Sequence, residues 1–289
     1  MKIKTIDTLA ELNELAATGS LKGVVRVPAD AYHAGPGISS TGLKELLKSP
    51  AHFRAYLEDD RDTDAMRLGR LAHLKLLEPD VFEATCIYEP QWRHDGRTSA
   101  GKVERASFED AAAGKLRIKA KDAETLRGME NAVMGNELAL SILSGGVAEL
   151  SIYWEDEQTG ILCKARADYI KDGKIYDLKT CQDARRKAFQ KDVANYRYHL
   201  SAAFYVDGFR SVFGTTSFAW LAVEKERPHG IAFYSASDQV LEVGRREYRE
   251  ALNAFARCEQ EKVYPSYPQR WHSLALPAWY EEGVEAWSL

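Results

Sequence analysis

The sequence is poor in cysteine and has no pattern that would organise the few it contains. Four cysteines are spread over 289 residues without a C-x-x-C pair. This spacing argues against a zinc site and is compatible with reduced thiols in a cytosol. No run of eighteen apolar residues occurs, and the N-terminal stretch MKIKTIDTLAEL lacks the apolar centre of a signal peptide. The sequence therefore predicts a cytoplasmic protein that does not span or enter a membrane.

An excess of basic charge is missing as well, because the formal net charge is −4. General nucleic-acid binders are usually basic, so any contact with DNA must come from local clusters of charge. Two such clusters occur, one in KLRIKAK at 115–121 and one at 185–191, where Arg185 and Arg186 begin the run. Each is equally well interpreted as a solvated face. Charge alone therefore neither establishes nor excludes DNA binding.

The stretch RADYIKDGKIYDLKT, residues 166–180, contains the strongest local signal in the chain. An Asp-Gly pair between alternating apolar residues predicts a two-residue hairpin turn at Asp172-Gly173. Counting outward from that turn places Asp168 opposite Asp177 and Arg166 opposite Lys179. Since strand residues alternate with a period of two, all four side chains are expected on one face.

Two carboxylates directly opposite each other repel. Either one of them takes up a proton through a raised pKa, or a divalent cation lies between them. Lys179 would then point at whatever anion the cation holds. The alternative is that Asp168 and Asp177 are solvated strand residues neutralised by Arg166 and Lys179.

A second candidate group lies on the predicted helix MRLGRLAHLKLLEP, which ends before Pro79. His73 follows Gly69 by one helical turn, so Gly69 is expected to clear space beside the imidazole. The alternative is an ordinary packed or surface histidine. Taken in order, Gly69, His73, Asp168, Asp177 and Lys179 form a more specific pattern than any one of them.

The remaining segments predict an α/β fold with a mixed central sheet of about five strands flanked by helices. Residues 90–121 are interpreted as a long polar connection. The predicted elements are helices at Leu9–Ala17, Gly42–Lys48, from Ala51, Asp122–Leu143, across 184–209 and Asp238–Lys262, and strands at Gly23–Val27, Glu149–Trp154, from Ile161, Ser217–Val223 and Gly230–Ser235. The 184–209 segment is predicted as one helix because its apolar residues follow at spacings of three and four.

These motifs resemble the PD-(D/E)xK nuclease superfamily. Asp168 matches its first acidic residue, Asp177-Leu178-Lys179 matches (D/E)xK, and Gly69-x-x-x-His73 matches the histidine helix of its recombination nucleases. From about Tyr32 onward the chain resembles the nuclease module of the RecE-like exonucleases (exodeoxyribonuclease VIII) of phages and prophages. The matching motifs are I-S-x-T-x-L-K, S-P-A-H-F, G-R-L-A-H-x-x-L-L-E-P, L-C-K-A-R-A-D with D-L-K-T, Y-R-Y-H-L-x-A-A-F-Y and P-S-Y…L-P-A-W. The resemblance implies a restriction-endonuclease-like core at 32–289, preceded by an extension at 1–31.

The resemblance also implies a Mg²⁺-dependent 5′→3′ exonuclease that digests linear double-stranded DNA and leaves 3′ single strands for recombination. His73, Asp168, Asp177 and the main-chain carbonyl of Leu178 would hold the metal, and one imidazole suggests that Mn²⁺ is also accepted. Lys179 would orient a water molecule or offset developing charge. Glu149 is a further acidic candidate, although a salt bridge there is an equally good interpretation.

DNA contacts are expected from a set of basic, hydroxyl and aromatic side chains. These are Arg166, Thr180, Arg185, Arg186, Tyr196, Tyr198 and Tyr205. Relatives carry a glutamine four residues before the tyrosine that Tyr205 matches, whereas this chain has Ser201. The resemblance further implies a homo-oligomeric ring around DNA, a possible single-strand annealing partner, and a phage or prophage origin within a bacterial host cell.

Two other functions fit the same residues. One is a non-catalytic DNA-binding or scaffold protein of a recombination system that keeps the fold. An intact set of His73, Asp168, Asp177 and Lys179 argues against it, because a scaffold has no use for opposed carboxylates. The other is a PD-(D/E)xK endonuclease, which differs in that it cuts closed circular DNA.

Overall fold

The predicted hairpin lies at the centre of one mixed sheet. A computed structural model describes residues 3–59, 63–214 and 216–276 of the chain. The strands in these ranges are β1 (Lys4–Thr5), β2 (Gly23–Arg26), β3 (Cys86–Tyr88), β4 (Leu116–Ile118), β5 (Val147–Glu155), β6 (Leu162–Lys171), β7 (Lys174–Cys181), β8 (Ser217–Glu224) and β9 (Ile231–Ser235). The P-A-W end of the terminal motif, at 277–279, lies outside the described residues.

Helices cover both faces of this sheet. They are α1 (Leu9–Ala17), α2 (Ala29–Ala34), α3 (Ser40–Leu46), α4 (Pro50–Leu57), α5 (Asp64–Leu77), α6 (Pro79–Thr85), α7 (Ser99–Ala111), α8 (Ala120–Met134), α9 (Glu137–Ile142), α10 (Arg186–Asn195), α11 (Tyr198–Phe213) and α12 (Asp238–Glu261). None of the helices in the described ranges is long and apolar enough to cross a membrane.

The sheet order is β1-β2-β5-β6-β7-β8-β9, and β3 pairs with β4 in a separate two-stranded sheet. The pairs β1–β2 and β7–β8 are parallel, and the other pairs of the large sheet are antiparallel. The predicted mixed sheet with flanking helices is therefore confirmed. It contains seven strands rather than about five, because β1 and β2 from the first 31 residues extend its edge.

The hairpin turn is found as predicted. Lys171 pairs with Lys174, and the next two pairs follow in register to Tyr169 and Tyr176. Asp172 and Gly173 have φ angles of 50° and 74°, and a two-residue turn of this kind needs positive φ at both positions. The ladder between β6 and β7 ends at the pair Tyr169–Tyr176, one pair before the two aspartates. The strands therefore separate where the carboxylates lie.

The prediction that Arg166 faces Lys179 is wrong. Along β6 the residues packed in the main core are Cys163, Ala165 and Ala167, but also Ile170, so the alternation changes phase near Asp168. Arg166 therefore points away from that core, where it donates to the carbonyl of Val27 and the hydroxyl of Ser151. Lys179 points to the other side, toward Tyr198 on α11.

Residues 90–121 are not one irregular connection, because they include α7 and β4. Thr98 caps α7 by accepting a hydrogen bond from the Gly101 N–H at 3.0 Å. The apolar contact of this segment is small, with Phe108 packed edge-on against Trp92. Of its own residues α7 buries only Gly101 and Phe108, and the polar, glycine-containing sequence around it led to its interpretation as a connection.

Two helices predicted as continuous are each divided. The predicted helix at 122–143 breaks before Asn136, whose side chain accepts from the Ala139 N–H at 2.9 Å and starts α9. The predicted helix over 184–209 breaks at Arg197, which adopts a left-handed φ of 50° between α10 and α11. Apolar spacing continues across both breaks, so the periodicity did not reveal them.

The sheet separates two apolar cores. One core packs α3, α4, α11 and α12 against one face of the sheet. The other packs α5, α6 and α8 against Leu178, Leu221 and Val223 on the opposite face. The gap between β6 and β7 opens between these layers, so side chains from both faces can reach it.

A buried lysine attaches the N-terminal segment to the sheet. The Lys164 ammonium on β6 donates to the carbonyls of Tyr32 and Gly35 at 2.7 Å each and to that of His33 at 3.4 Å. These carbonyls lie at the end of α2, where no further helical turn satisfies them. Lys164 thus replaces the missing helical donors.

We expect Lys164→Met to lower the free energy of unfolding by about 2 kcal/mol, because it leaves buried carbonyls without donors. Denaturant unfolding of the variant beside Lys22→Met, an exposed lysine of the same sheet region, measures the effect. Equal unfolding midpoints for the two variants would contradict this role.

Candidate active site

The histidine helix α5 lies across the end of β7. Thr63 caps it by accepting from the Met66 N–H at 3.2 Å, and its Leu71, Ala72 and Leu76 are buried against the sheet. A Cβ atom added to Gly69 would approach Thr180 Oγ1 at 4.0 Å and no other atom within that distance. Gly69 therefore leaves room toward β7 rather than beside the imidazole, which corrects the expectation from spacing.

His73 is fixed by the main chain of β7. Its Nε2 lies 2.8 Å from the carbonyl oxygen of Leu178, and because a carbonyl only accepts, Nε2 carries the hydrogen. In the neutral imidazole Nδ1 then has the free lone pair, and this nitrogen lies 3.5 Å from Asp168 Oδ2. The same Asp168 oxygen accepts the Leu178 N–H at 2.8 Å. Both polar main-chain atoms of Leu178, including the carbonyl predicted as a metal ligand, are thus bonded to side chains of the site.

Glu149 on β5 completes an acidic group with His73 and Asp168. One ligand atom from each of the three residues lies within 4.8 Å of the others. Glu149 holds a left-handed φ of 50°, unusual for a non-glycine residue inside a strand. Burial and the neighbouring Asp168 raise the pKa of Glu149 to about 8. The alternative interpretation of Glu149 was a salt bridge. That salt bridge is weak, because Glu149 Oε2 lies 3.9 Å from Arg166 Nη1.

Asp177 is not one of the three residues of this group and forms an ion pair with Lys179 on the same strand. Burial raises the pKa of Asp177, and Asp168 adds to the effect against the opposing influence of Lys179. Burial disfavours the ammonium of Lys179, yet the carboxylates of Asp177 and Asp168 raise its pKa overall. Lys179 is therefore a cation at neutral pH.

Aromatic side chains from the junction of α10 and α11 border the lysine. The Lys179 ammonium lies 5.1 Å from the centroid of the Tyr198 ring, and Tyr196 stacks on the same ring with centroids 5.5 Å apart. Tyr196 is 59% exposed, so the stack extends from Lys179 to the surface. Burial, with Asp177 and Asp168 nearby, raises the pKa of Tyr205.

Two features on the α11 side of the site were not predicted from the sequence. Lys44 on α3 places its ammonium 5.6 Å from the Tyr198 centroid, and burial with Lys179 nearby lowers its pKa to about 8. Ser201, which stands where relatives have glutamine, donates to the Ser40 hydroxyl at 3.1 Å. Lys44 is the lysine of the I-S-x-T-x-L-K motif, and that motif is the sequence signal that could have identified it as a site residue.

The remaining DNA-binding candidates lie in different surroundings. Arg166 is 8% exposed and is bonded to main-chain and side-chain acceptors, so we withdraw it as a DNA-binding candidate. Thr180 lies under Gly69 of α5. Arg185 and Arg186 are exposed beyond the end of β7, and Arg185 is ion-paired with Asp183 at 2.7 Å.

The donors of His73, Glu149 and Asp168 fit a hard divalent cation. Two carboxylates and one imidazole nitrogen are a suitable ligand set for Mg²⁺ or Mn²⁺. The mutual repulsion of Glu149 and Asp168, visible in the raised pKa of Glu149, is the condition that a cation between them would relieve. Within the described residues this group differs from the predicted ligand set in containing Glu149 where Asp177 was expected.

The fold and this constellation define a restriction-endonuclease-like α/β domain of the PD-(D/E)xK class. Residues 39–273 match the family described as a PDDEXK-like domain of unknown function (DUF3799), and the chain belongs to that family. The resemblance to the PD-(D/E)xK superfamily is thereby confirmed. A search of curated proteins finds no match.

Solved structures share the fold at low sequence identity. A protein of Eubacterium rectale, provisionally named an exonuclease, is 13% identical with a TM-score of 0.59, over 91% of this chain and 99% of that one. A phage-related exonuclease of Haemophilus somnus is 12% identical with a TM-score of 0.32, over 67% and 95%. The alkaline exonuclease of Laribacter hongkongensis is 13% identical with a TM-score of 0.28, over 57% and 86%. The first of these shows that the fold is shared.

Proposed function

We propose that this protein is a metal-dependent 5′→3′ exodeoxyribonuclease that digests linear double-stranded DNA and exposes 3′ single strands for recombination. One observation carries the proposal: the group His73, Glu149 and Asp168, with ligand atoms within 4.8 Å, stands beside the Asp177–Lys179 ion pair where β6 and β7 separate. The exonuclease names of proteins with related folds and the RecE-like motifs support the same reaction.

His73, Glu149 and Asp168 would hold Mg²⁺, or Mn²⁺ in its place. A divalent cation in such a site stabilises charge on a phosphodiester and lowers the pKa of a water molecule. Asp168 has a second function, because its hydrogen bond to Leu178 keeps β7 at a fixed distance from β6. His73 fixes the same residue through the Leu178 carbonyl.

Lys179 would stabilise the negative charge that develops on the phosphate during cleavage. Its raised pKa favours this function over that of a base, because a base must first lose its proton. Asp177 holds the ammonium in place through the ion pair. In this assignment Asp177 orients Lys179 rather than binding the metal.

The aromatic stack is the best candidate for contacts with bases. Tyr196 and Tyr198 expose a stacked pair at the surface, and stacking on aromatic rings is how single strands are usually held without sequence preference. The exposed Arg185 and Arg186 could contact phosphates farther from the site. A ring of identical subunits and a single-strand annealing partner remain parts of the proposal that rest on the RecE-like motifs.

The proposal predicts nucleotide release from linear double-stranded DNA in the presence of Mg²⁺ or Mn²⁺, no release in EDTA, and no cutting of a closed circle. Radiolabel at the 5′ or 3′ end reports polarity, and we expect early release of the 5′ label. Acid-soluble nucleotide and gel mobility of the circle are the two measurements.

The rival functions predict different results. An endonuclease would convert the closed circle to linear or nicked forms. A scaffold would release nothing from either substrate, although it would bind DNA. Either result from folded protein would replace the exonuclease proposal.

A further inference from the structure

Charge is unevenly divided across the site. On the α5 side, Glu149 and Asp168 offer two carboxyl groups, which suit a cation. Asp177 and Lys179 neutralise each other at the centre. On the α11 side, Lys44 adds one positive charge, and the charged groups that affect its pKa include Lys179, Asp177, Arg197 and Glu45.

The acidic neighbours of Lys44 are occupied by other cations. Asp177 is paired with Lys179, and Glu45 binds Lys48 through both carboxylate oxygens at 2.7 Å. The neighbouring Arg197 is paired with Glu247 at 2.6 Å. Among the residues that the structure describes, Lys44 has neither an ion pair nor a hydrogen-bond acceptor. Its ammonium instead faces the Tyr198 ring, 5.6 Å from the ring centroid.

A half-buried ammonium beside a second ammonium is unfavourable unless an anion compensates it. Lys44 and Lys179 both lie within 5.6 Å of the centroid of one tyrosine ring. Tyr198 therefore brings the two ammonium groups to the same part of the site. Among the described residues no carboxylate is paired with Lys44, and a phosphate of the substrate would supply the missing anion.

We propose that Lys44 binds a backbone phosphate of the DNA strand being cleaved, the phosphate next to the one that Lys179 contacts. This inference rests on the proposed nuclease function and adds to it a second phosphate position, specified by α3 rather than by the (D/E)xK strand. Lys44 is therefore a substrate-binding residue, whereas Lys179 acts on the phosphate that is cleaved. The ring of Tyr198 is close to both ammonium groups.

The test compares Lys44→Met with Lys22→Met, which removes the same charge from an exposed lysine paired with Glu155 at 2.9 Å. DNA affinity is measured in EDTA over a range of salt concentrations, so that no cleavage occurs, with a linear duplex carrying a single-stranded end. We expect Lys44→Met to bind about tenfold more weakly than wild type. The slope of log K against log salt should fall by about 0.7 to 0.9, the contribution of one phosphate.

Cleavage kinetics give an independent readout. Loss of a contact made equally in the bound and transition states raises KM about tenfold and leaves kcat nearly unchanged. Lys44→Arg should recover most of the affinity, since it restores the charge. Lys44→Gln serves as a second neutral variant if Lys44→Met does not show a cooperative melt.

Two results would overturn the inference, and they are distinguishable. If wild type cleaves DNA and Lys44→Met matches Lys22→Met in affinity, salt slope and KM, Lys44 contacts no phosphate and only this inference fails. If wild type neither binds nor cleaves DNA with Mg²⁺ or Mn²⁺, the proposed function fails and the phosphate position fails with it.

Discussion

Lys179→Ala is expected to lower the rate of nucleotide release from linear DNA by about 100- to 1,000-fold while leaving the fold intact. The variant removes the ammonium that Asp177 orients, and one well-placed electrostatic donor is worth roughly this factor in a water-poor site. The loss should appear in kcat rather than in KM, because the charge that Lys179 stabilises develops only in the transition state. Single-turnover cleavage at saturating enzyme measures it directly.

Lys174→Ala is the matched control for this prediction. Lys174 lies on the same strand at the hairpin end, and its ammonium is near Ser235 Oγ rather than any carboxylate of the site. It should cleave at the wild-type rate. If both variants fold and Lys179→Ala cleaves within a few-fold of the Lys174→Ala rate, Lys179 does not take part in the chemistry. The hypothesis that Asp177 orients Lys179 for catalysis then fails as well.

The sequence predicted the hairpin and the residues that meet at its open end, because those signals are local. An Asp-Gly turn defines a register by counting, and the register from Lys171–Lys174 to Tyr169–Tyr176 is the one found. A histidine one turn after a glycine on an amphipathic helix is equally local, and α5 does bring His73 to Asp168. Residue spacing is sufficient where the backbone stays regular.

The parts that the sequence did not predict depend on departures from regularity. The change of phase near Asp168 directs Arg166 and Lys179 to opposite sides, and period-two counting cannot detect such a change. Lys44 comes near Lys179 only through the packing of α3 against α11, a contact between segments far apart in sequence. From counting alone, Asp177 was the carboxylate repelled by Asp168, whereas in the structure Glu149 also lies beside Asp168.

Glu149→Gly is expected to make the metal-free protein more stable than Glu149→Ala by about 1 kcal/mol, while both variants lose metal-dependent cleavage. Inside a strand, glycine normally costs about 0.5 to 1 kcal/mol relative to alanine. At Glu149 the φ of 50° reverses this order, because a Cβ atom in the left-handed region costs about 1 to 2 kcal/mol. Both variants remove the repulsion with Asp168 and a potential metal ligand, so their difference isolates the backbone strain. Denaturant unfolding in EDTA measures it.

A functional requirement would explain why a glutamate is held in this conformation. The left-handed backbone at Glu149 interrupts the pairing of β5 with β6 opposite Asp168 and brings the carboxylate into the group with His73 and Asp168. Asp172→Gly is the control, because Asp172 has the same φ of 50° at the far end of the hairpin; it should leave cleavage unchanged. If Glu149→Gly retains cleavage, or unfolds more easily than Glu149→Ala, then the strained backbone does not serve the metal group, and Asp177 regains its place as the third ligand.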